Sequence, residues 1–325
     1  MQVTPNVRAV QVPDSNPMHP TYTTIYLVGH GQVFTIDSGE DFERYRWMLR
    51  GYLAAVEKAE IMLSGLSHHH ADHSANLKWL QDEFGASIHL LRDAEPLLGP
   101  RLPETGVEYI AEGDQIEVSG GVKLQVMQTP GHSVDSVCYY LEDEGVLFTG
   151  DTILGGSTTT IIDLSEYMAT LERLRNLPNL KVLCPGHGTI MENPIEVIDD
   201  YIRRRNVRER EIVEIMAERP EVTSWDLVEA CYQGVDRRLW RAADRVVQTH
   251  LKKLEKDGVI KVYPGKPKHV DPNEVSKVAE EEHERLEILR KADEIRDQMK
   301  RRTVQLQEAG PAAEWDEQPR YELIR

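Results

Sequence analysis

Residues 67–74 read SHHHADHS, with four histidines and one aspartate in a short stretch. An apolar run, residues 61–66, precedes them and a helix-like pattern, residues 75–84, follows, so the sequence predicts a strand-to-helix turn here. Imidazole and carboxylate groups are good ligands for zinc, and also for manganese or iron, but poorer ligands for calcium. The turn is therefore a candidate metal site, and a solvated polar turn is the alternative for this segment alone.

The spacing of these side chains predicts places for two ions rather than one. In an extended strand end, residues two apart point the same way, so His68 and His70 can bind a first ion. His69 then points elsewhere, and we expect it to pack or to orient a ligand and not to bind metal itself. Asp72 and His73 leave that line where the chain enters the helix, and they can bind a second ion.

Three further strand ends carry a histidine or an aspartate after an apolar run. They are His132 in MQTPGHS, Asp151 in LFTGDT and His187 in LCPGHG. Both histidines follow a Pro-Gly pair, which allows a turn that presents the ring at the edge of a sheet. These residues supply the further ligands that the first cluster needs, and no Gly-x-Ser-x-Gly elbow lies near them to favour a serine hydrolase.

The elements that position these residues are short β-rich runs with occasional helices, as far as about residue 190. The runs that fit strands are residues 7–12, 24–29, 32–39, 59–66, 87–91, 122–128, 136–141, 145–150 and 181–186. Helices fit at residues 42–57, 75–84 and 164–176, where apolar residues recur three or four apart. The mixture predicts an α/β fold in which two sheets are flanked by helices.

A smaller unit follows the Asn-Pro break at residues 193–194. The pattern is helical through Glu218, and the chain then reads as helix, long helix and β-hairpin over residues 225–232, 239–258 and 259–270. That order is the plan of a winged helix.

The last part of the chain, from about Asn273, is dense in Glu, Lys and Arg, with widely spaced apolar residues. It predicts an exposed amphipathic helix, either as a solvated tail or as a surface for self-association, so a homo-oligomer stays an open alternative. We therefore predict three domains, which are residues 1–200, residues 201–270 and a charged helical tail over residues 271–325.

Composition excludes several classes of protein. Of the 325 residues, 29% are charged and 40% hydrophobic, which is ordinary for a globular enzyme and too mixed for a disordered chain. The cysteines match neither a disulfide framework nor a thiolate zinc site. No apolar stretch reaches membrane-spanning length, and the N-terminus has the plan of neither a secretion signal nor an organellar presequence. We therefore expect a cytoplasmic protein with no membrane partner.

The ordered set of His-x-His-x-Asp-His, followed by separate His, Asp and His positions at strand ends, resembles the metallo-β-lactamase fold hydrolases of the glyoxalase II branch. The resemblance implies an αββα sandwich that holds two divalent ions, with zinc as the first choice and manganese or iron as alternatives. It further implies that the two ions share a water, lower its pKa and leave a bridging hydroxide as the nucleophile.

The resemblance also implies a role for each residue. The implied ligands are His68, His70 and His132 for the first ion and Asp72, His73 and His187 for the second. Asp151 would bridge both ions, and Asp72 would also accept a hydrogen bond from the hydroxide, so these two carboxylates are the candidate catalytic residues. Asp37, in FTIDSGE, matches the family's early aspartate, which orients ligands and does not bind metal.

Longer stretches narrow the resemblance to the lactamase-beta-like protein 2 type, which joins this domain to a C-terminal winged helix. The matching stretches are residues 149–174, 184–211 and 251–260, and the resemblance covers about residues 7–265. It implies two substrates: single-stranded RNA, cleaved as by the family's endoribonuclease, or a small acyl substrate, cleaved as by fungal thioesterases or related carboxylic-ester hydrolases.

The segment that follows Asp151 reads TILGGSTTT. It differs from the substrate loop of glyoxalase II, and this difference disfavours glutathione thioesters. Gly155, Gly156, Ser157 and Thr158 are candidates to border the substrate cleft. Their alternative role is a tight turn with a serine or threonine cap before the next helix.

Clustered basic residues could form a phosphate track on the C-terminal helices. They are Arg203, Arg204, Arg205, Arg208, Arg210, Arg237, Arg238, Arg241, Arg245, Lys252 and Lys253. The alternative is a set of solvated helix faces paired with nearby carboxylates, which the net charge of −17 favours. A non-enzyme alternative is a metal-sensing regulator whose winged helix binds duplex DNA, although the apolar face of the long helix indicates packing.

Overall fold

The structure, a computed structural model, describes residues 1–13, 22–267 and 315–324. The chain divides into two compact units, Met1–Val207 and Arg208–Arg325. The charged helix predicted from about Asn273 lies outside the described residues, and the three domain boundaries stay a prediction. Within the described ranges, no helix combines the length and the apolar character that crossing a membrane requires.

The larger of two sheets in the first unit has seven strands in sequential order. They are β1 (Gln2–Thr4), β2 (Val7–Pro13), β3 (Tyr22–Val28), β4 (Gln32–Ile36), β5 (Glu60–Gly65), β6 (Ser87–Leu91) and β7 (Val107–Ile110). Strands β1 to β4 pair antiparallel, and β4 to β7 pair parallel. Because β4 and β5 are parallel, Asp37 and residues 67–74 follow them at the same sheet edge.

The second sheet has five strands in the order β12-β11-β10-β9-β8. They are β8 (Gln115–Val118), β9 (Val122–Gln128), β10 (Val137–Leu141), β11 (Val146–Gly150) and β12 (Val182–Pro185). Strand β10 is antiparallel to both β9 and β11, and β11 is parallel to β12. Strands β9, β11 and β12 therefore run in one direction, and each ends shortly before a candidate ligand.

Helices cover the outer faces of both sheets. On the first sheet they are α1 (Glu43–Tyr52), which continues as a π-helical turn (Leu53–Glu57), α2 (Ala71–Ser74), α3 (Leu77–Phe84) and α4 (Glu95–Leu98). On the second sheet they are α5 (Leu164–Arg175) and the beginning of α6 (Pro194–Glu218).

Side chains of alternating direction build the layers between these elements. Ile25 of β3 packs in the cluster that contains α1, whereas the next residue, Tyr26, packs between the two sheets with Phe148 of β11. Leu171 of α5 packs against the far face of the second sheet, in the cluster of Leu183. The predicted αββα sandwich is therefore confirmed.

Where the structure describes it, the second unit is built on the end of α6, α7 (Ser224–Cys231) and α8 (Trp240–Lys256). Thr223 caps α7 through a reciprocal pair of hydrogen bonds with Asp226, which satisfies two backbone donors at the helix start. The apolar face of α8, with Val247 and Leu251 fully buried, packs in the core of this unit. The predicted winged helix is confirmed.

The predicted hairpin spans residues 259–270, of which the structure describes 259–267, and within these described residues the two arms pair with other strands and not with each other. In the described part of this unit, the strands are β13 (Ile260–Tyr263), β14 (Lys266–Pro267), β15 (Trp315–Glu317) and β16 (Arg320–Leu323). Strand β13 pairs with β16 and β14 pairs with β15, both antiparallel. Strand β14 ends at Pro267, which has no amide hydrogen to donate to a neighbouring strand. Strand β16, in contrast, contributes Tyr321 and Leu323 to the core of the unit.

Candidate metal centre

Seven histidine and aspartate side chains converge where β5, β9, β11 and β12 end. The first group consists of His68, His70, His132 and Asp151, and the second of Asp72, His73 and His187. In each group, the potential ligand atoms lie within 4.8 Å of one another. The structure therefore brings together all seven residues that the sequence predicted as ligands.

The first group is built around His70. Its Nδ1 lies 2.8 Å from His68 Nε2 and 3.3 Å from His132 Nε2. His69, between the two ligands in sequence, turns away, and its Nδ1 shares a hydrogen bond of 2.8 Å with Asp135 Oδ1. Three imidazole nitrogens thus face one point, and His69 is excluded from that point by the alternation of the strand end.

The second group is built around Asp72, at the start of α2. Its Oδ2 lies 3.0 Å from His187 Nε2 and 3.4 Å from His73 Nε2. The hydroxyl of Thr23, from β3, donates a hydrogen bond of 3.3 Å to the same oxygen. A residue of the neighbouring strand therefore orients this carboxylate, and sequence reasoning did not identify it.

Asp151 contacts both groups. Its Oδ1 lies 3.4 Å from His73 Nε2, while its Oδ2 lies 3.5 Å from His187 Nε2 and 3.9 Å from His132 Nε2. Gly186 is required beside it, because a Cβ there would lie 2.8 Å from Asp151 Oδ1 and 2.6 Å from a ring carbon of His73. The carboxylate is therefore placed where a group shared by two ions would have to lie.

Asp37 orients side chains of both groups without facing the centre itself. Its Oδ2 accepts hydrogen bonds from His73 Nδ1 at 2.7 Å and from Ser67 Oγ at 2.8 Å. Its Oδ1 accepts the backbone amide of Ser67 at 2.7 Å, and the Ser67 hydroxyl lies 3.0 Å from His68 Nδ1. Asp37 has φ +65°, a left-handed conformation that is uncommon outside glycine and that the tertiary contacts hold in place.

His132 takes its orientation from the segment after Asp151. Its Nδ1 lies 2.8 Å from the carbonyl oxygen of Thr160 and 2.9 Å from the hydroxyl of Thr159. An imidazole whose Nδ1 donates to a carbonyl presents the lone pair of Nε2 to the centre. Thr159 and Thr160 were not predicted as groups that orient a ligand. The run of threonines after Gly155-Gly156 is the feature of the sequence that could have indicated them.

Burial and the electrostatics of the first group favour neutral imidazoles. Burial lowers the pKa of His68 well below its ordinary value, and the neighbouring histidines His73, His132 and His70 lower it further. The same two causes, burial first, lower the pKa of His70 to about 4. Burial also lowers the pKa of His132, against the opposing effect of Asp151. Neutral imidazoles are the form that binds metal.

The second group has the opposite character. Burial acts to lower the pKa of His73, but the carboxylates Asp72, Asp37 and Asp151 outweigh it and raise that pKa well above its ordinary value. Burial acts to raise the pKa of Asp151, and the facing histidines, His73 foremost, nevertheless hold it well below its usual range. A carboxylate that stays ionised in a buried site needs a cation beside it.

The donor set fits a pair of divalent ions. His73 Nε2 and Asp151 Oδ1 are buried and make no hydrogen bond to any described residue, although both point at the centre. Buried polar atoms that make no hydrogen bond are rare, and a bound ion between these two atoms, which lie 3.4 Å apart, would account for them. Five imidazoles and two carboxylates suit zinc, manganese or iron.

The predicted cleft residues 155–158 lie on the turn that follows Asp151. Gly155 is buried and forms a bridge with Gly188, so close that a Cβ would lie 2.1 Å from a backbone oxygen of Thr189. Residues 156–158 are exposed, while the Ser157 carbonyl and the Thr158 hydroxyl accept hydrogen bonds from α6. A tight turn is present, and a role in substrate binding stays a proposal.

The clustered basic residues of α6 are largely engaged. Arg203 and Arg204 both form ion pairs with Asp200. Arg205 is 8% exposed and contacts the threonine run. Arg208 pairs with Glu211 at 2.7 Å. These residues therefore follow the paired-face alternative more closely than an open phosphate track.

Comparison with known families agrees with this geometry. Residues 19–187 match the Metallo-beta-lactamase superfamily, and residues 223–266 match the Beta-lactamase associated winged helix domain. The first match covers more than half of the chain and contains every candidate ligand.

Individual relatives extend the comparison. Over 249 residues the chain is 35% identical to a Beta-lactamase-like protein 2 homolog of Drosophila melanogaster, a match that covers 74% of this chain and 84% of that protein. It is 35% identical over 215 residues to an Atrochrysone carboxyl ACP thioesterase of Aspergillus fumigatus, covering 63% of this chain and 64% of that protein. A beta-lactamase domain protein of Burkholderia ambifaria has the same fold, with TM-score 0.72, 17% identity, and coverage of 81% of this chain and 89% of that one.

Proposed function

The chain belongs to the metallo-β-lactamase superfamily, whose members are hydrolases, and we propose that it uses two divalent ions to hydrolyse acyl esters or thioesters. The observation that carries the reaction class is the convergence of seven imidazole and carboxylate side chains at one sheet edge. We propose the predicted assignment of these residues as ligands, with zinc as the first choice of metal. The cytoplasmic location and self-association stay predictions.

The side chains of the centre position the reacting groups for this hydrolysis. Two divalent ions bound here would lower the pKa of a shared water and polarise a substrate oxygen. Asp151 contacts both groups of ligands and so fixes the separation between the two groups. Asp72, fixed by Thr23, keeps a carboxylate oxygen directed at the centre, where it can accept a proton from the attacking water. Asp72 and Asp151 are therefore the proposed catalytic residues.

Two observations support an acyl substrate over a phosphodiester. The α6 arginines of the first unit are engaged by the protein itself: Arg203 and Arg204 pair with Asp200, and Arg205 is buried. Exposed apolar residues flank His132 instead: Val134 is 55% exposed, and Ile162, whose amide donates to the Gly131 carbonyl, is 50% exposed. An apolar flank suits an acyl chain, and a relative named as a thioesterase agrees with it.

The test is a substrate panel with one matched variant. Zinc- or manganese-loaded protein is assayed on acyl thioesters of N-acetylcysteamine, which carry no phosphate, and on end-labelled single-stranded RNA. We expect thioester hydrolysis that disappears in Asp151→Asn, purified identically to exclude contaminating enzymes. RNA cleavage without thioester hydrolysis, lost in the same variant, would reject the acyl assignment and support the endoribonuclease alternative.

One observation favours the RNA alternative. Four exposed cations lie on a single face of α8, spaced four, seven and four residues apart: Arg241, Arg245, Lys252 and Lys256. Within the described residues, none of the four forms an ion pair. A basic stripe on the long helix of a winged helix suits a nucleic-acid backbone.

Charge reversal on this stripe separates the alternatives. If RNA is the substrate, Arg241→Glu with Arg245→Glu should weaken binding of single-stranded RNA and flatten its salt dependence. The charge-matched control is Arg44→Glu with Arg219→Glu, at exposed positions outside α8. Binding of duplex DNA in preference to RNA would instead support the regulator. If the protein binds neither nucleic acid at low salt, only the acyl assignment remains.

A further inference from the structure

Helix α6 contacts the segment that follows Asp151 through two buried side chains one helical turn apart. The first is Tyr201, 8% exposed, whose hydroxyl donates to the carbonyl of Ser157 at 2.6 Å. The hydroxyl oxygen of Tyr201 in turn accepts a hydrogen bond from the backbone amide of Leu154 at 3.0 Å. One side chain thus joins two points of the segment, on either side of Gly155-Gly156.

The second contact is Arg205, and it is not an ion pair. Its guanidinium donates to the Thr158 hydroxyl at 2.6 Å and to the Thr159 carbonyl at 3.4 Å, and its Cζ lies 5.9 Å from the ring centre of Tyr167. No carboxylate of the described residues pairs with it, and its Nε is buried without a hydrogen bond. A buried cation without a counterion opposes folding, so this arginine is better explained by the segment that it holds than by stability.

The segment held in this way is the one that orients His132. Thr159 and Thr160 contribute the hydroxyl and the carbonyl that lie 2.9 and 2.8 Å from His132 Nδ1. The Arg205 guanidinium therefore bonds the same residue, Thr159, that contacts the imidazole. The connection from α6 to a metal ligand contains a single intervening residue.

We propose that Tyr201 and Arg205 are positioning residues for the metal centre, acting through Thr159 and Thr160 on His132. The inference rests on the proposed metal centre and deepens it. The two α6 side chains fix residues 154–160 so that the Thr160 carbonyl accepts the Nδ1 proton. His132 then presents the Nε2 lone pair towards His70 and Asp151.

The test follows binding of cobalt(II) by its visible absorption, a readout that needs no substrate. Groups bonded directly to a metal-binding histidine are worth about 10- to 100-fold in metal affinity. Arg205 acts one residue further out but holds the segment that contains both Thr159 and Thr160, so Arg205→Met should weaken one of two binding steps by about 10-fold, the lower end of that range, and alter its spectrum. Tyr201→Phe should produce a smaller loss in the same step, because the ring still packs. Arg205→Lys should restore part of the affinity.

Matched controls remove the same groups elsewhere. Tyr140→Phe deletes a hydroxyl that bonds the backbone carbonyl of Pro178, and Arg203→Met deletes an exposed α6 arginine paired with Asp200. Both should bind cobalt as the unaltered protein does. The proposal is overturned if Arg205→Met and Tyr201→Phe bind both ions with unaltered affinity and spectrum, whatever their melting temperatures. Should Arg205→Met fail to fold, Tyr201→Phe decides alone.

The result of the cobalt test does not depend on which substrate the protein hydrolyses. If the protein hydrolyses none of the acyl substrates but the cobalt result is as expected, the acyl assignment fails and the positioning role stands. If the unaltered protein binds fewer than two cobalt ions, the proposed metal centre itself fails.

Discussion

The two halves of the metal centre are the first and the second group of candidate ligands, and they differ in the charge of the groups that orient their imidazoles. In the half that contains His68 and His132, the Nδ1 partners are neutral: the Ser67 hydroxyl and the Thr160 carbonyl. In the other half, the Nδ1 partner of His73 is the carboxylate of Asp37, and that of His187 is the backbone carbonyl of Tyr22, at 3.3 Å. The pKa values of the histidines differ as well: burial lowers those of His68 and His132, whereas the carboxylates Asp72, Asp37 and Asp151 outweigh burial and raise that of His73.

This difference indicates that the halves compete for cations in different ways. The His73 half is surrounded by Asp72, Asp37 and Asp151, so it attracts a metal ion strongly but also retains a proton. The half with His68 and His70 holds no proton near neutral pH and depends on geometry for its affinity. Asp151 is the carboxylate that joins the two halves.

The largest effect is expected for Asp151→Asn, which removes the charge that both halves share. The amide cannot offer two anionic oxygens, so both ions should bind weakly and hydrolysis should fall to the level of the metal-free protein. Metal content after dialysis and the hydrolysis rate test this, with the exposed Asp143→Asn as control. Full activity in Asp151→Asn would show that the halves do not depend on a shared carboxylate.

A smaller effect that still reaches both halves is expected for Asp37→Asn. This carboxylate bonds His73 directly and His68 through Ser67, so zinc affinity should fall by about 10- to 100-fold in both binding steps. Ser67→Ala should weaken the step that involves His68 more than the step that involves His73, because Asp37 keeps its own contact with His73 Nδ1. Competition with a chromogenic chelator measures the two steps separately. Equal losses in both steps for Ser67→Ala would contradict the division into halves.

The pH dependence of the metal-free protein separates the halves without any variant. A raised pKa means that His73 keeps its proton through neutral pH, whereas a pKa of about 4 means that His70 stays neutral until strongly acidic pH. Nitrogen chemical shifts of the imidazoles, followed by NMR during a pH titration, test this. A single titration of both histidines near their ordinary pKa would remove the electrostatic difference.

The smallest effect is expected for Thr159→Val, which deletes a hydroxyl 2.9 Å from His132 Nδ1 but leaves the Thr160 carbonyl as acceptor. Affinity should fall a few-fold, in one binding step only, because one hydrogen bond contributes about 1 kcal/mol. Isothermal titration with zinc measures the change, and Thr189→Val is the control. A loss in both steps would place Thr159 outside the His132 half.

The candidate ligands could be predicted from sequence because each follows directly on an apolar strand. Residue type and strand end are both local signals, as for His132 after β9 and Asp151 after β11. The groups that orient the ligands come from distant segments, such as Thr160, which contacts His132 across 28 residues. No local pattern marks such a pair, and Asp37 was identified by resemblance alone.

For the fold as well, the sequence predicted elements with a strong local pattern and missed features that lack one. The nine predicted strands are present, but β1, β7 and β8 were missed because they are only three or four residues long and β7 is partly exposed. The helix predicted over residues 75–84 begins at Leu77, after a separate short helix, α2. The strand that pairs with β13 follows it by more than 50 residues, so a local hairpin signal led to the wrong partner.

The number of zinc ions bound per chain tests the dinuclear centre most directly. Protein stripped of metal is dialysed against buffered zinc at neutral pH, and metal and protein are then measured in the same sample. The geometry of the seven side chains predicts two ions per chain. One ion or none, bound by a chain that is folded by circular dichroism, would contradict the dinuclear centre and the hydrolysis proposed from it.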